Sequence, residues 1–353
     1  MKSSALILIL GIIAIAALSC TQPTPPVTAV TAQKAIACTT TDLMTKVKFL
    51  QTPFDPRRNS SPQPSNVPVP ANIQNDLQNA FNIAPSILTA RLCDLTYIFI
   101  DPTGCADPTR CTLPPNQLSY NSWGLRGYHG GDTTGEYIAT SAALWPNGGS
   151  APSISSYENG RLQFLLQHVN PNAANWSPGP QITSAAPDTP QMAVLAALAH
   201  ETGHVYWYDA FVKNRGGHAD LNRFCSGNFY TPGSWSHNID APPGRWIEFG
   251  DRSDNQSYNP DYVSMLASAL RMSNFPQAAT ILYQIYQNQD LADALAAFSP
   301  DEDFVEAYQW AVLLKANPPL SSLAIQIPGS PAYDIAAGNL ANQGGLRRKM
   351  NCF

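Results

Sequence analysis

The stretch from Met192 to His204 limits the possible folds of this chain more than any other. Eight apolar residues, Met192 to Ala199, run directly into His200-Glu201-Thr202-Gly203-His204. A run of that kind predicts a helix buried on all sides, and a buried helix carries polar side chains only where they are partnered. Two imidazoles four residues apart lie on one helical face, with Glu201 beside them. Such a face can offer two nitrogens to one metal ion and an acid to the water next to it. With six His and six Glu in 353 residues, random placement yields this H-E-x-x-H pattern in roughly two chains per thousand, so coincidence explains it poorly. The bland reading, two core histidines with satisfied ring nitrogens and a surface acid, conflicts with the apolar flank.

Composition removes other classes. A net charge of −5, 13% charged residues and no basic cluster argue against nucleic acid as a partner. With 44% hydrophobic residues, 31 Pro and 22 Gly, the chain is expected to be globular with many long loops. There is no internal repeat.

The first twenty residues resemble a bacterial lipoprotein signal: Lys2, an apolar run from Ala5 to Leu18, then Ala17-Leu18-Ser19-Cys20. Ala17 stands where the usual pattern has Leu. The resemblance implies cleavage after residue 19, a lipidated Cys20 in the membrane and, with Thr21 following, outer-membrane sorting in a two-membrane organism. Residues 20–36, rich in Pro, Thr and Ala, read as a flexible tether, and 37–353 as a single domain. Setting Cys20 aside leaves Cys38, Cys93, Cys105, Cys111, Cys225 and Cys352, an even number suited to three disulfides in an oxidising compartment. Cys105 and Cys111 are expected to close a small loop, and the other four allow three pairings. No C-x-x-C pair suggests a thiolate site.

Periodicity gives the order of elements. Ile73, Leu77 and Phe81 form a helical stripe within 71–84; 96–100 reads as a buried strand ended by Asp101-Pro102; 136–145 is a second strand; Ser153 to His168 is helical despite Gly160; and 180–186 is a short strand. The motif helix is expected from Pro190 to Lys213 with Asp188 or Thr189 as cap. An aromatic, Gly-rich loop region spans 224–261, and helices follow at 260–272, 276–287, 290–298 and 300–316. The class is α+β: a small mixed sheet and α/β part at about 71–213, a central motif helix, and a helical part at about 259–316.

This order, with Glu302-Asp303-Phe304-Val305-Glu306-Ala307-Tyr308 downstream of the motif, resembles the zincin metallopeptidases, in particular the gluzincin branch with an E-x-F-x-E-A-aromatic helix seen in lethal-factor-type peptidases. The resemblance implies Zn2+ held by His200, His204 and Glu302. It also implies that Glu306 accepts a proton from a ligand histidine and that Glu201 is the general base toward a peptide substrate. Ser299-Pro300-Asp301-Glu302 is equally a capping box, in which Glu302 needs no metal. Asp303, Glu248 and His218 are further candidates for the third ligand. The metzincin branch is excluded, because it requires Gly and His where this chain has Trp207 and Ala210. Leu295 stands where lethal-factor-type enzymes place an oxyanion-stabilising Tyr. Tyr206, Tyr208, His218, Arg245 and Tyr308 are candidates for that role, with none assigned. The Gly-rich turn at 127–132 could border a substrate cleft. The reading that results is a zinc-dependent hydrolase, a peptidase of the cell envelope. Its alternative is a non-catalytic envelope lipoprotein that keeps the fold for binding or structure.

Overall fold

A computed structural model describes residues 38–51, 63–101, 123–126, 136–212, 224–227, 229, 230, 235, 236, 257, 258, 260–342 and 344–353, all within the compact unit Ile36–Phe353. In chain order the elements are α1 (Thr40–Lys46), β1 (Val47–Phe49), α2 (Ala71–Ile83), α3 (Ser86–Asp94), β2 (Tyr97–Asp101), β3 (Trp123–Arg126), β4 (Glu136–Ser141), α4 (Ile154–Val169), β5 (Gln181–Ala186), α5 (Pro190–Trp207), β6 (Trp235–Ser236), β7 (Ser257–Tyr258), α6 (Tyr262–Arg271), α7 (Phe275–Gln287), α8 (Pro300–Lys315), β8 (Ser322–Gln326), β9 (Tyr333–Asp334), α9 (Ile335–Ala341) and α10 (Gly345–Met350). The expected α+β class is what is found.

The principal sheet has the order β1-β2-β4-β3, with the first three strands parallel and β3 antiparallel at the edge. Alternation separates its faces. Ile98, Ile100 and Ile138 enter the main core, whereas Phe99, Tyr137 and Ala139 pack with Leu50 on the opposite side. Helix α5 crosses the core face, touching β3, β4, α2, α3 and α4, and packs most extensively against α8. Every residue from Met192 to Ala199 is fully buried, as the apolar run requires. A second sheet, β5-β8-β9, is antiparallel throughout and draws two of its strands from beyond α8.

Several expectations need correction. The motif helix ends as an α-helix at Trp207 and widens into a π-turn over Tyr208–Val212. Asp188 does not cap it. Its carboxylate instead takes Ser155 N at 2.9 Å and Ser155 Oγ at 2.7 Å, closing the first turn of α4, and Thr189 holds the N-cap position of α5 without a side-chain bond. The helix expected over 290–298 is absent apart from one 3-10 turn at Leu295–Ala297. There Asp293 Oδ1 accepts Leu295 N at 2.9 Å and Ala296 N at 3.2 Å, a local side-chain bond that competes with helix propagation. The strand expected to reach residue 145 stops at Ser141, whose Oγ accepts Ala143 N at 3.0 Å and starts a 3-10 turn. Asp101, expected to end β2, belongs to it. Within 224–261 a two-stranded pair, β6 and β7, interrupts the expected loop.

Two disulfides resolve part of the cysteine pairing: Cys38–Cys93 joins the entry of α1 to α3, and Cys225–Cys352 joins the segment after α5 to the residues after α10. Cys105, Cys111, Cys20, the leader and the tether lie outside the described residues, as do His218, Arg245, Glu248 and the turn at 127–132. Among the described residues no helix is long and apolar enough to cross a membrane.

Candidate metal centre

Helices α5 and α8 meet where a small residue lets them. A methyl group added at Gly203 would lie 3.2 Å from both Val305 Cα and Val305 Cγ1 and 3.4 Å from Tyr308 Cδ1. That close approach sets the first turn of α8 against the last two turns of α5, and so brings Glu302 to the motif histidines. Glu302 Oε1 is 3.7 Å from His204 Nε2, and Glu302 Oε2 is 3.9 Å from His200 Nε2. The imidazoles stand perpendicular, with centroids 4.9 Å apart and an interplanar angle of 85°.

The ambiguity at Glu302 disappears once backbone and side chain are separated. Ser299 is the N-cap of α8, and its Oγ accepts the Glu302 N–H at 3.3 Å. The Glu302 carboxylate turns away to the histidines. Only the serine half of the expected capping box is made, and the Glu302 acid is left for the site. Asp303 is engaged elsewhere: both its oxygens accept from Lys349 Nζ, at 2.8 and 2.6 Å, in a fully buried pair.

Glu306, one turn after Glu302, places Oε1 2.8 Å from His200 Nδ1, and Arg161 Nη2 lies 3.4 Å from the same nitrogen. A proton on Nδ1, directed at the Glu306 carboxylate, would leave the Nε2 lone pair facing Glu302. For His204, Asp301 Oδ2 is 3.9 Å from Nδ1. Burial holds the pKa of both imidazoles well below the usual histidine value. The Arg161 charge reinforces this at His200; at His204 the neighbouring His200 contributes first and Arg161 next. Both rings are neutral near pH 7, the form that coordinates a metal.

The acids respond in the opposite direction. Burial raises the pKa of Glu201 well above the carboxylate range, and Glu306 adds to the effect. Burial, then Asp301 and Glu306, does the same at Glu302. Oε2 of Glu201 and Oε2 of Glu302 are buried with no hydrogen-bond partner among the described residues. Three donor atoms, one each from His200, His204 and Glu302, lie within 4.8 Å of one another. The edge of a tetrahedral zinc site with arms near 2.1 Å is about 3.4 Å, so the 3.7 and 3.9 Å separations fall close to coordinating geometry. Neutral imidazoles, crowded acids and orphaned buried oxygens together make a donor set that a divalent cation would complete.

Several residues at this site were not anticipated. Arg161 on α4 donates from Nη2 to Glu306 Oε1 at 2.5 Å, and from Nη1 to both Glu158 oxygens at 3.1 Å and to Gln309 Oε1 at 3.3 Å. Asp293 accepts Trp310 Nε1 at 3.2 Å, and burial followed by the nearby Glu306 pushes its pKa well up. In sequence the only signal for Glu158 and Arg161 is an i, i+3 pair that any exposed helix face could carry. Of the oxyanion candidates, Tyr308 donates its hydroxyl to Ile87 O at 2.9 Å. Tyr206 lies edge-on to Phe224, Phe304 and Tyr308 beneath the Arg91 guanidinium, which is 3.6 Å from its ring centre. Both serve packing.

Comparison with protein-family models, with curated proteins and with solved structures returned no match.

Proposed function

We propose that the chain is a zinc-dependent hydrolase of the zincin type, a peptidase held at the cell envelope through Cys20. The observation that carries this reading is the convergence of His200, His204 and Glu302 beside a buried Glu201. Zinc held by those three side chains would supply a Lewis acid for a carbonyl oxygen and acidify water near neutral pH.

The chain's own residues do the rest. Glu201 takes a proton from the attacking water and returns it to the leaving amine, and burial keeps its carboxyl basic enough to hold that proton. Glu306, with Oε1 2.8 Å from Nδ1 of His200, favours the proton on that nitrogen and so favours Nε2 as the ligand atom. Strand β3 is outermost among the described strands of its sheet, antiparallel to β4 and beside α5. This edge would let an extended peptide add as a further strand beside α5. The two disulfides among the described residues suit an exported protein.

The test pairs metal analysis with cleavage of a broad peptide library. Wild type is expected to hold one zinc per chain and to cleave, His204→Ala to lose the metal, and Glu201→Gln to keep it while losing turnover by at least about 100-fold. Undiminished cleavage by Glu201→Gln defeats the proposal. Stoichiometric metal with no cleavage by wild type favours a binding protein on the same scaffold.

A further inference from the structure

We propose that Arg161, fixed by Glu158 and Gln309, is the positioning residue that locks the His200 imidazole in its metal-binding orientation. The inference rests on the metal-centre reading above and extends it to a third helix.

The argument begins with a shared atom. Oε1 of Glu306 lies 2.8 Å from His200 Nδ1 and accepts from Arg161 Nη2 at 2.5 Å, and the same Nη2 is 3.4 Å from the ring nitrogen. With the His200 proton on Nδ1, that oxygen has both lone pairs engaged, which prevents the carboxylate from turning about its terminal bond. Glu306 is fully buried, so no water can take over either bond. If Arg161 were absent, the carboxylate could rotate and release the imidazole with it. Arg161 is itself held: its other nitrogen forks to both oxygens of Glu158 and to Gln309 Oε1, and Gln309 Nε2 returns to Glu158 Oε1 at 3.3 Å. The relay Glu158, Arg161, Glu306, His200 therefore runs from α4 through α8 to α5. Its geometry needs a guanidinium, because one planar group must reach two carboxylates in different directions, and an ammonium on a flexible stem cannot hold both.

A competing account makes the same residues a self-satisfied ion cluster that merely supports the core. A double-mutant cycle separates the two. Zn2+ affinity would be measured on the full chain by competition with a chromophoric chelator for wild type, Arg161→Met, Arg161→Lys, Glu306→Gln and Arg161→Met with Glu306→Gln, with folding followed by circular dichroism. Arg161→Met is expected to weaken Zn2+ binding by about 10–100-fold, Arg161→Lys to recover only part of it, and the double variant to bind within about 2-fold of Glu306→Gln alone. Binding by Arg161→Met within about 2-fold of wild type, or losses that multiply in the double variant, overturns the proposal. Should Arg161→Met fail to fold, Arg161→Lys carries the same criterion: wild-type affinity overturns the proposal and a several-fold loss supports it. Failure of wild type to take up one Zn2+ overturns the metal-centre reading and this inference with it, whereas normal uptake with an indifferent Arg161 overturns this inference alone.

Discussion

Ser299 and Glu302 stand in a relation that joins helix capping to the candidate site: the Ser299 hydroxyl accepts the Glu302 amide, and the Glu302 carboxylate faces both motif histidines. Ser299→Ala should cost about 1 kcal/mol of stability, the usual worth of such a cap. It should also weaken Zn2+ binding several-fold, because the first turn of α8 would fray where Glu302 sits. Chemical denaturation with a chelator titration checks both. A stability loss with unchanged affinity would mean that the cap does not orient the acid.

Gly203 sets the spacing of the two helices. An alanine there would raise intrinsic helix propensity by up to about 1 kcal/mol, yet its methyl group would press on the backbone of α8 at Val305. Overpacking of that kind costs about 1–3 kcal/mol. Gly203→Ala is therefore expected to give no gain in melting temperature and a lower Zn2+ affinity, read by calorimetry and chelator competition. A more stable variant with full affinity would show that the contact is compliant.

Lys349 and Asp303 form an ion pair with neither side chain exposed, and Lys349 also donates to Asp290 O at 2.7 Å. Removing one member strands the other, at a cost of about 3–5 kcal/mol, whereas replacing both is far milder. Lys349→Met should unfold at much lower denaturant than wild type. Lys349→Met with Asp303→Leu should recover most of the loss. No recovery in the double variant would refute the electrostatic account.

Asp334 supplies the pH prediction. Partial burial opposes its ionisation, but bonds from Ser322 Oγ and the amides of Ala337, Leu323 and Ala336 outweigh burial and hold its pKa below the ordinary value. A carboxylate depressed in the folded state stabilises fully above its unfolded pKa, near 3.9, and that contribution disappears as pH falls through the lower folded value. Asp334→Asn should be less stable than wild type at neutral pH, and the gap should close below about pH 4. Urea midpoints across pH 2–7 check this, and a gap independent of pH would contradict it.

What could be read from the residues follows from how far each signal reaches along the chain. The buried α5 and its two histidines were legible because eight apolar residues and an i, i+4 spacing are local facts, and α2, α4, α6, α7 and α8 declared themselves by their stripes. Glu302 was legible as two alternatives, and only three dimensions show that the capping box is half made: Ser299 caps, while the Glu302 carboxylate faces the histidines. Arg161 was not legible, since its partner Glu306 lies 145 residues away and nothing local says that the pair at 158 and 161 faces inward. Strands β1, β3, β8 and β9 are two to five residues long, too short for alternation to register. The helix expected at 290–298 failed because Asp293 offered the backbone a closer partner than the next turn.

The concealment of Lys349 has a practical corollary. Its amine, at 0% exposure, is closed to acylating reagents for as long as α10 stays docked, while lysines at the surface react at once. Rates of label incorporation at this position, followed by peptide mass spectrometry, would therefore time the opening of the structure around α8 directly, with no engineered probe and without waiting for the whole chain to denature.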